Sequence, residues 1–223
     1  MRWVEMICCA RSMKHSNYCV AGVRTDSGEW IRPVSAAADG AVRVRDCQLD
    51  NGLPIQKLDV VRVPVGPPAP RPHQPENVVI IDDHEWQFVR RAGERDVEMV
   101  RAKLECGPAL FGDTERYRLA TDLEASPVAS SLGLLDVSEA EVERWQYEGR
   151  PRVSLAFWLA GTYYELGLTD PEYRHAGLQL DIGTHRMSAI GIEAATQVLA
   201  LASIAEPFDG GKCYKVIASL LRA

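Results

Sequence analysis

Apolar and polar residues alternate along much of the first quarter of the chain, a pattern typical of β-strands. It predicts strands over residues 3–10, 18–23 and 29–32, and a further strand over residues 57–65. The tetrad Thr25-Asp26-Ser27-Gly28 joins the second and third of these, because Gly accepts a positive φ while Asp and Ser bond the local backbone. We therefore predict a hairpin, whose second strand ends or reaches a sheet edge at Pro33.

The second half of the chain has the same alternating character. The predicted strands there cover residues 132–137, 152–159, 163–168, 197–205 and 213–221, and two further strands at 78–81 and 86–89 complete the first half. The Ala-rich residues 194–205 are also compatible with a helix, and residues 138–144 predict a short capped helical turn. Asp170 before Pro171 is typical of a turn start after a strand.

One persuasive helix lies between these two β-rich regions. It starts near Glu94, repeats Val97, Val100 and Leu104 at helical spacing, and is stopped by Gly107-Pro108. Before it, five prolines within residues 66–75 require an extended loop. The layout predicts two small β units, barrels or sandwiches, joined by a helical spacer. The expected boundaries are residues 1–91, 92–110 and 111–223.

Composition supports a folded intracellular protein. Apolar residues make up 46% of the 223, and no apolar run reaches the roughly 20 residues that span a bilayer. Glu5, Arg11 and Lys14 interrupt any apolar stretch at the N-terminus, so we expect a strand there, no signal peptide and a cytoplasmic protein without a membrane partner. The six cysteines are scattered and are predicted to be reduced thiols.

Charge divides the chain unevenly. Residues 1–75 carry 10 Lys/Arg against 7 Asp/Glu, whereas residues 76–223 carry 15 against 24. The N-terminal part is therefore better suited to meet an anion.

Trp30 and Arg32 are the leading candidate ligand-binding residues. They lie two apart on a strand and so project from one face. An aromatic ring beside a guanidinium is what single-stranded nucleic-acid surfaces use for base stacking and phosphate pairing. The alternative is that Trp30 belongs to the core and Arg32 pairs with a carboxylate such as Asp59.

Other polar residues extend this candidate site. Arg62, with Arg43, Arg45 and Arg71, could add to a basic surface, although scattered solvated charges explain these arginines as well. His73, Glu76 and Asn77 follow the proline-rich loop, which could hold them in a recognition site or in a simple turn. Tyr214 and Lys215 on the last strand could face a ligand or protect a sheet edge.

Catalytic and metal chemistry have weaker support. Asp82-Asp83-His84-Glu85 is most simply an acidic turn, since neighbouring side chains on a strand diverge. Cys9, His15 and Cys19 lack a convincing fourth zinc ligand. No Walker, G-x-S-x-G or H-E-x-x-H pattern occurs. We therefore predict no catalytic residue, no metal and no cofactor.

Several short blocks resemble the bacterial dual-OB domain proteins, which contain two oligonucleotide/oligosaccharide-binding-type barrels. The blocks are MIC at 6–8, CVAG at 19–22, GEWIRPVS at 28–35, LDVV at 58–61, HQPEN at 73–77, SLGL at 131–134, YELGLTDP at 164–171 and CYKVIA at 213–218. The resemblance implies a mainly β fold of two OB-like barrels and nucleic-acid binding, and it supplies no catalytic residues. The chain departs at Ile204-Ala205-Glu206, where a more polar Ser-Leu-Gly-Glu run is expected.

These observations favour a non-catalytic protein that recognises DNA or RNA through its N-terminal barrel. One alternative is an adaptor that docks a partner protein through sheet edges or its acidic second half. A metal-dependent hydrolase that uses residues 82–85 is the remaining alternative.

Overall fold

The computed structural model describes residues 1–14, 16–81, 84–193 and 196–222, and the chain is mainly β. In the first half the described strands are β1 (Arg2–Lys14), β2 (Asn17–Arg24), β3 (Trp30–Val34), β4 (Asp59–Pro68), β5 (Asn77–Ile80) and β6 (Gln87–Arg91). In the second half they are β7 (Tyr117–Leu119), β8 (Leu132–Asp136), β9 (Glu141–Tyr147), β10 (Arg150–Leu159), β11 (Thr162–Leu168), β12 (Gly183–Arg186), β13 (Val198–Ile204) and β14 (Lys212–Arg222). The helices are α1 (Glu94–Arg101), α2 (Ala120–Ala125) and α3 (Pro171–Leu178), with 3-10 turns at Val44–Cys47 and Met187–Ile190.

The first sheet closes into a five-stranded barrel. Its strands follow the order β1-β2-β3-β5-β4, β4 pairs back with β1, and β6 joins β4 outside the ring. The long β1 makes closure possible, because residues 2–7 pair with β4 while residues 6–14 pair with β2. Within the ring β3 and β5 run parallel, and the other pairs are antiparallel. A closed ring leaves no unpaired edge between these five strands.

Gly22 lets β2 lie against β1 at a bulge. A Cβ atom at this position would lie 2.2 Å from the carbonyl oxygen of Ile7, a distance that no side chain tolerates. The register of the β1–β2 pair shifts next to this point, between Cys8 and Ala10. Glycine is therefore required where the two backbones approach most closely.

The second sheet follows the order β12-β9-β10-β11-β14-β13-β8, and β7 pairs with β14. Here β11 and β14 are the parallel pair. Strand β8 pairs with β13, whereas β9 pairs with β10 and β12. Residues 137–140 separate these two strands in the chain.

A shared apolar cluster joins the two sheets. It contains Ile7, Ala21 and Val60 from the first sheet and Leu132 and Leu201 from the second. The α1 residue Val100 belongs to the same cluster at 2% exposure. Burying a side chain of this size is worth about 1.5–3 kcal/mol, so the helix contributes to the contact between the halves.

The structure confirms most of the predicted strands, and the strand end predicted at Pro33 agrees to within one residue, because β3 ends at Val34 and pairs with β2 through Trp30 and Ile31. Two other predictions are corrected. The interval 138–144 is not helical, because β9 begins at Glu141 and pairs with both β10 and β12. The helix predicted from Glu94 ends at Arg101 rather than near Gly107. The Ala-rich interval forms the predicted hairpin strand β13 where it is described.

Two further features bear on the sequence predictions. All six cysteines are free, as predicted, and burial raises the pKa of the Cys9 and Cys47 thiols to about 12. Such thiols act as small apolar groups in packing. No helix within the described ranges is long and apolar enough to cross a membrane.

Candidate functional site

Arg32 lies in a buried polar network between the two halves. Its Nε donates to Glu76 Oε1 at 3.1 Å, and its Nη2 donates to the hydroxyl oxygens of Ser131 and Ser203 at 2.9 and 3.0 Å. The Glu76 carboxylate also accepts from the Ser131 backbone N–H at 3.2 Å. Arg32 is 4% exposed. Its guanidinium is therefore committed to internal partners, which corrects the expectation that it faces solvent beside Trp30.

Arg32 does pair with a carboxylate, as the alternative interpretation held, but the partner is Glu76 rather than Asp59. Asp59 instead accepts from Arg91 at 2.6 Å. The partner of Arg32 is 44 positions later in the chain, just before β5. The parallel pairing of β3 and β5 brings the two side chains together, which no local pattern shows.

The loop between β4 and β5 is fixed against the second half. Gln74 Nε2 donates to the backbone oxygen of Ile204 at 3.1 Å, and Asn77 Nδ2 donates to Gln74 Oε1 at 3.2 Å. His73 is buried, and its Nε2 has no hydrogen-bond partner among the described residues. Burial lowers the pKa of His73, so the neutral imidazole is favoured. His73 therefore belongs to the contact between the halves rather than to an open surface.

The remaining predicted site residues lie apart from one another. Arg62 is exposed on β4 and pairs with Glu5 at 3.2 Å. Tyr214 is 37% exposed. Lys215 points to the other side of β14, where its ammonium is buried and donates to Asp113 Oδ1 at 2.6 Å, and burial lowers its pKa. The structure thus brings Arg32, His73, Glu76 and Asn77 together and leaves Arg62, Tyr214 and Lys215 elsewhere.

Trp30 lines a cleft of about 410 Å³ at the boundary between the halves. The cations on its walls are Arg2 from β1, Arg24 from β2 and Lys103 just after α1. The other lining residues are Glu29, Ile31, Pro68, Pro75, Glu76, Asn77, Val78, Ala129 and Ser130. Trp30 is half-buried, with part of its ring packed on the shared apolar cluster. The cleft therefore combines an accessible aromatic ring with three cations.

The charges in the cleft are unequally compensated. Arg24 pairs with Asp26 at 2.7 Å and lies 3.9 Å from Glu29, and the hydrogen bond to Asp26 raises its pKa. Arg2 and Lys103 have no ion pair among the described residues. Glu76 on the cleft wall is already neutralised by Arg32. An anionic group next to Trp30 would therefore meet cations with spare charge.

Sequence reasoning found Trp30 and missed its cationic neighbours. Arg2, Arg24 and Lys103 are far apart in the chain and each stands at or just beyond the end of an element. The excess of Lys and Arg in residues 1–75 was the only signal that pointed toward such a surface. Their proximity depends on barrel closure and on the docking of the second half.

Within the described residues, no three His, Cys, Asp or Glu side chains are grouped so that they could hold a metal ion. Asp82 and Asp83 of the acidic turn, and His15 of the Cys9/His15/Cys19 set, lie outside the described residues.

Comparisons with known proteins give one family match. The family model described as "Dual OB-containing domain" matches residues 4–220. No curated protein matches the chain. Among solved structures, one titled "Structure of murine DNA binding protein bound with ds DNA" covers 100% of both chains at 8% sequence identity with a TM-score of 0.33. A likeness at that TM-score carries no weight for fold or function.

Proposed function

We propose that this chain, which belongs to the dual OB-containing domain family, binds single-stranded nucleic acid in the cleft beside Trp30. The observation that carries the proposal is the meeting of one accessible aromatic ring with Arg2, Arg24 and Lys103. Stacking of a base on an aromatic side chain contributes about 1–3 kcal/mol, and the cations supply phosphate contacts.

The position of the cleft on the barrel supports this function. OB-folds bind oligonucleotides across strands 2 and 3 and the loops that join strands 1–2 and 4–5. In the closed barrel of this chain, Arg24 ends β2 and Trp30 begins β3. Pro68 ends β4 and Pro75 lies in the loop between β4 and β5. Parts of strands 2 and 3 and of the loop that joins strands 4 and 5 therefore border the cleft, which supports a ligand site there.

We also propose that the second half is an OB-like barrel with a divided first strand. In this assignment β8 and β9 together replace the single long β1, and β10, β11, β13 and β14 take the places of β2 to β5. The parallel pairs β3–β5 and β11–β14 support the assignment. The division at residues 1–91, 92–110 and 111–223 follows from it, except that α1 would pack between the halves as well as link them.

The acidity of the whole chain limits the kind of nucleic acid. With a net charge of −6, the protein lacks the broad positive field that drives non-specific duplex binding. A short single strand offers unstacked bases to Trp30 and only a few phosphates to the three cations. We therefore expect single strands to bind more tightly than duplexes of the same sequence.

Fluorescence anisotropy with labelled single-stranded DNA, single-stranded RNA and duplex DNA tests the proposal. Trp30→Ala should weaken single-strand binding by about 5- to 150-fold, the equivalent of one base stack. The double variant Arg2→Gln/Lys103→Gln should reduce the slope of log affinity against log salt by about 1.4, or 0.7 for each lost phosphate contact. This variant leaves Trp30 and its packing in place, so it tests the cleft even if Trp30→Ala is unstable.

Matched controls are available in the second half. Trp158→Ala removes an exposed tryptophan, and Arg150→Gln removes an exposed cation, both outside the cleft. Neither should change single-strand affinity. Salt-independent binding, or equal losses in the cleft and control variants, would refute the proposal.

A further inference from the structure

The outer face of strands β9, β10 and β11 carries exposed aromatic rings next to the β10–β11 turn. Leu155 and Phe157 of β10 face the core, Ser154 and Ala156 on the outer face are also buried, and Trp158 is 69% exposed. Tyr163 on β11 is 52% exposed. Exposed side chains of this size next to each other are unusual on a surface that has no partner.

Trp158 and Tyr163 form one pair on this face. They are directly opposite in the β10–β11 register, and their ring centroids are 5.4 Å apart in an edge-to-face arrangement. The pair lies beside the β10–β11 turn, so a ligand can approach without crossing another element. Both rings are accessible to a ligand, because each residue is more than half exposed.

Carboxylates flank the aromatic pair. The next row of the sheet places Glu141 and Glu165 on either side of Ala156, which pairs with both. Ala156 is small and 5% exposed, so its side chain does not project between the two glutamates. Burial and then the charges of Glu165, Glu143 and Glu141 raise the pKa of Tyr163, in keeping with the closeness of three carboxylates to this ring.

These acids are only partly compensated. Glu143 accepts from the Thr184 hydroxyl at 2.8 Å, and Glu165 lies 3.9 Å from Arg116. Glu141 has no ion pair among the described residues. Arg152 is also exposed on β10, but it is opposite Trp145, two rows beyond the acidic row. Arg186 of β12 is opposite Glu141 in the register, whereas on β9, β10 and β11 the row next to the aromatic pair carries only acidic charges.

We propose that Glu141, Glu143, Trp158, Tyr163 and Glu165 form a docking surface, the acidic aromatic face, for an arginine-bearing segment of a partner protein. A guanidinium stacks on an aromatic ring and pairs with a carboxylate at the same time, so one arginine can use both parts of the face. A nucleic acid fits this face poorly, because its phosphates would meet three carboxylates.

This surface is separate from the cleft beside Trp30. It lies on the other half of the chain and has the opposite charge, so the two can be tested independently. A loss of peptide binding without a loss of oligonucleotide binding, or the reverse, identifies which of the two assignments fails.

The test uses a fluorescein-labelled arginine–serine repeat peptide with the full-length protein. Wild-type protein should bind this peptide and should not bind a glutamate–serine peptide of equal length. Trp158→Ala should weaken peptide binding by about two- to fivefold, through loss of the cation–π contact at this exposed site. Glu141→Gln/Glu165→Gln should weaken it by a similar factor or more and should flatten its dependence on salt.

Three control variants carry comparable changes elsewhere. Phe208→Ala removes an aromatic ring that is 72% exposed, Glu124→Gln removes an exposed carboxylate of α2, and Trp30→Ala removes the cleft aromatic. All three should bind the peptide as the wild type does. Peptide affinity that is unchanged in Trp158→Ala, or that falls equally in Phe208→Ala, overturns the proposal.

Other occupants would be recognised by their own results. Displacement of the peptide by a single-stranded oligonucleotide, lost in Trp158→Ala but kept in Trp30→Ala, would assign the face to nucleic acid instead. Concentration-dependent self-association in sedimentation, abolished by Trp158→Ala, would assign it to a second copy of the chain. Either result overturns the arginine-segment assignment.

Discussion

Strands β3 and β11 each carry an aromatic and a charged residue two positions apart, but the charged residues differ in exposure. In β3, Trp30 and Arg32 are two residues apart; in β11, Tyr163 and Glu165 are two residues apart. Each strand also has a parallel neighbour, β5 or β14. The face of β3 that bears Arg32 is covered by the second half, whereas the face of β11 that bears Glu165 is open. Spacing therefore sets the side of the strand to which a residue points, and packing sets its exposure.

The energetic consequences differ as much as the exposure does. The side chains of Arg32 and Glu76 are 5% and 6% exposed, so both charges have lost their water and depend on each other and on the serine hydroxyls. Glu165 keeps part of its water and lies 3.9 Å from an exposed arginine. Exposed pairs such as the one between Glu165 and Arg116 contribute about 0–1 kcal/mol. The buried pair of Arg32 and Glu76 fixes how the two halves fit.

The largest expected effect comes from removing the buried cation. Arg32→Met leaves Glu76 buried and uncompensated, which should lower the free energy of unfolding by about 3–5 kcal/mol. Glu165→Gln, the corresponding change in β11, should stay within about 0.5 kcal/mol, as surface substitutions do. Urea denaturation followed by tryptophan fluorescence measures both.

A double variant separates lost charge balance from lost packing. Arg32→Met/Glu76→Leu removes both charges and should recover part of the stability lost in Arg32→Met. Equal losses of unfolding free energy in Arg32→Met and Glu165→Gln would contradict this comparison. They would show that the buried Arg32 contributes no more to stability than the partly exposed Glu165.

Sequence reasoning reached the strands more easily than the site. Runs of β-branched and other apolar residues around Val60 and Phe157 are typical of strands, so the strands and the closing hairpin could be predicted. The charge of Arg32 gave no sign that its partner would be Glu76 or that Ser131 and Ser203 would complete its hydrogen bonds. Those contacts arise between distant parts of the chain, where local spacing carries no information.

The same limit explains the error at residues 138–144. Ser138 and the glutamates after it match a helix start, yet Val142 is fully buried and pairs in the sheet. Tertiary pairing outweighs a weak local preference there. The cleft was beyond prediction for a related reason, because Arg2 and Lys103 meet Trp30 only once the barrel has closed.

A smaller, pH-dependent effect is expected at His73, on the covered side of the first barrel. Burial lowers its pKa in the folded state, whereas the unfolded chain has the ordinary value near 6.5. Its contribution to stability is complete above about pH 6.5 and is lost as pH falls from there through the lowered folded pKa. The neighbouring charges are Glu206, Arg71, Arg32 and Lys14.

His73→Gln should therefore flatten the pH dependence of stability in this acidic window. The difference in slope from the wild type can reach about 1.4 kcal/mol per pH unit for one proton. Urea midpoints measured above and below pH 6.5 give this slope. His175→Gln, an exposed histidine of α3, should leave it unchanged. A wild-type slope retained in His73→Gln would mean that the imidazole is as free to protonate in the folded protein as in the unfolded chain.

The smallest expected effect concerns the open face, where a large residue can be removed at little cost. Trp158 is 69% exposed and Phe157, its neighbour on β10, is 3% exposed. Trp158→Ala should therefore change the free energy of unfolding by no more than about 0.5 kcal/mol, although Phe157→Ala should cost about 3–5 kcal/mol. Thermal and urea unfolding of both variants measure the contrast. A loss above about 1 kcal/mol in Trp158→Ala would mean that the aromatic pair with Tyr163 stabilises the fold. Trp158 would then have a structural reason for its position, and the contrast between the covered face of β3 and the open face of β11 would weaken.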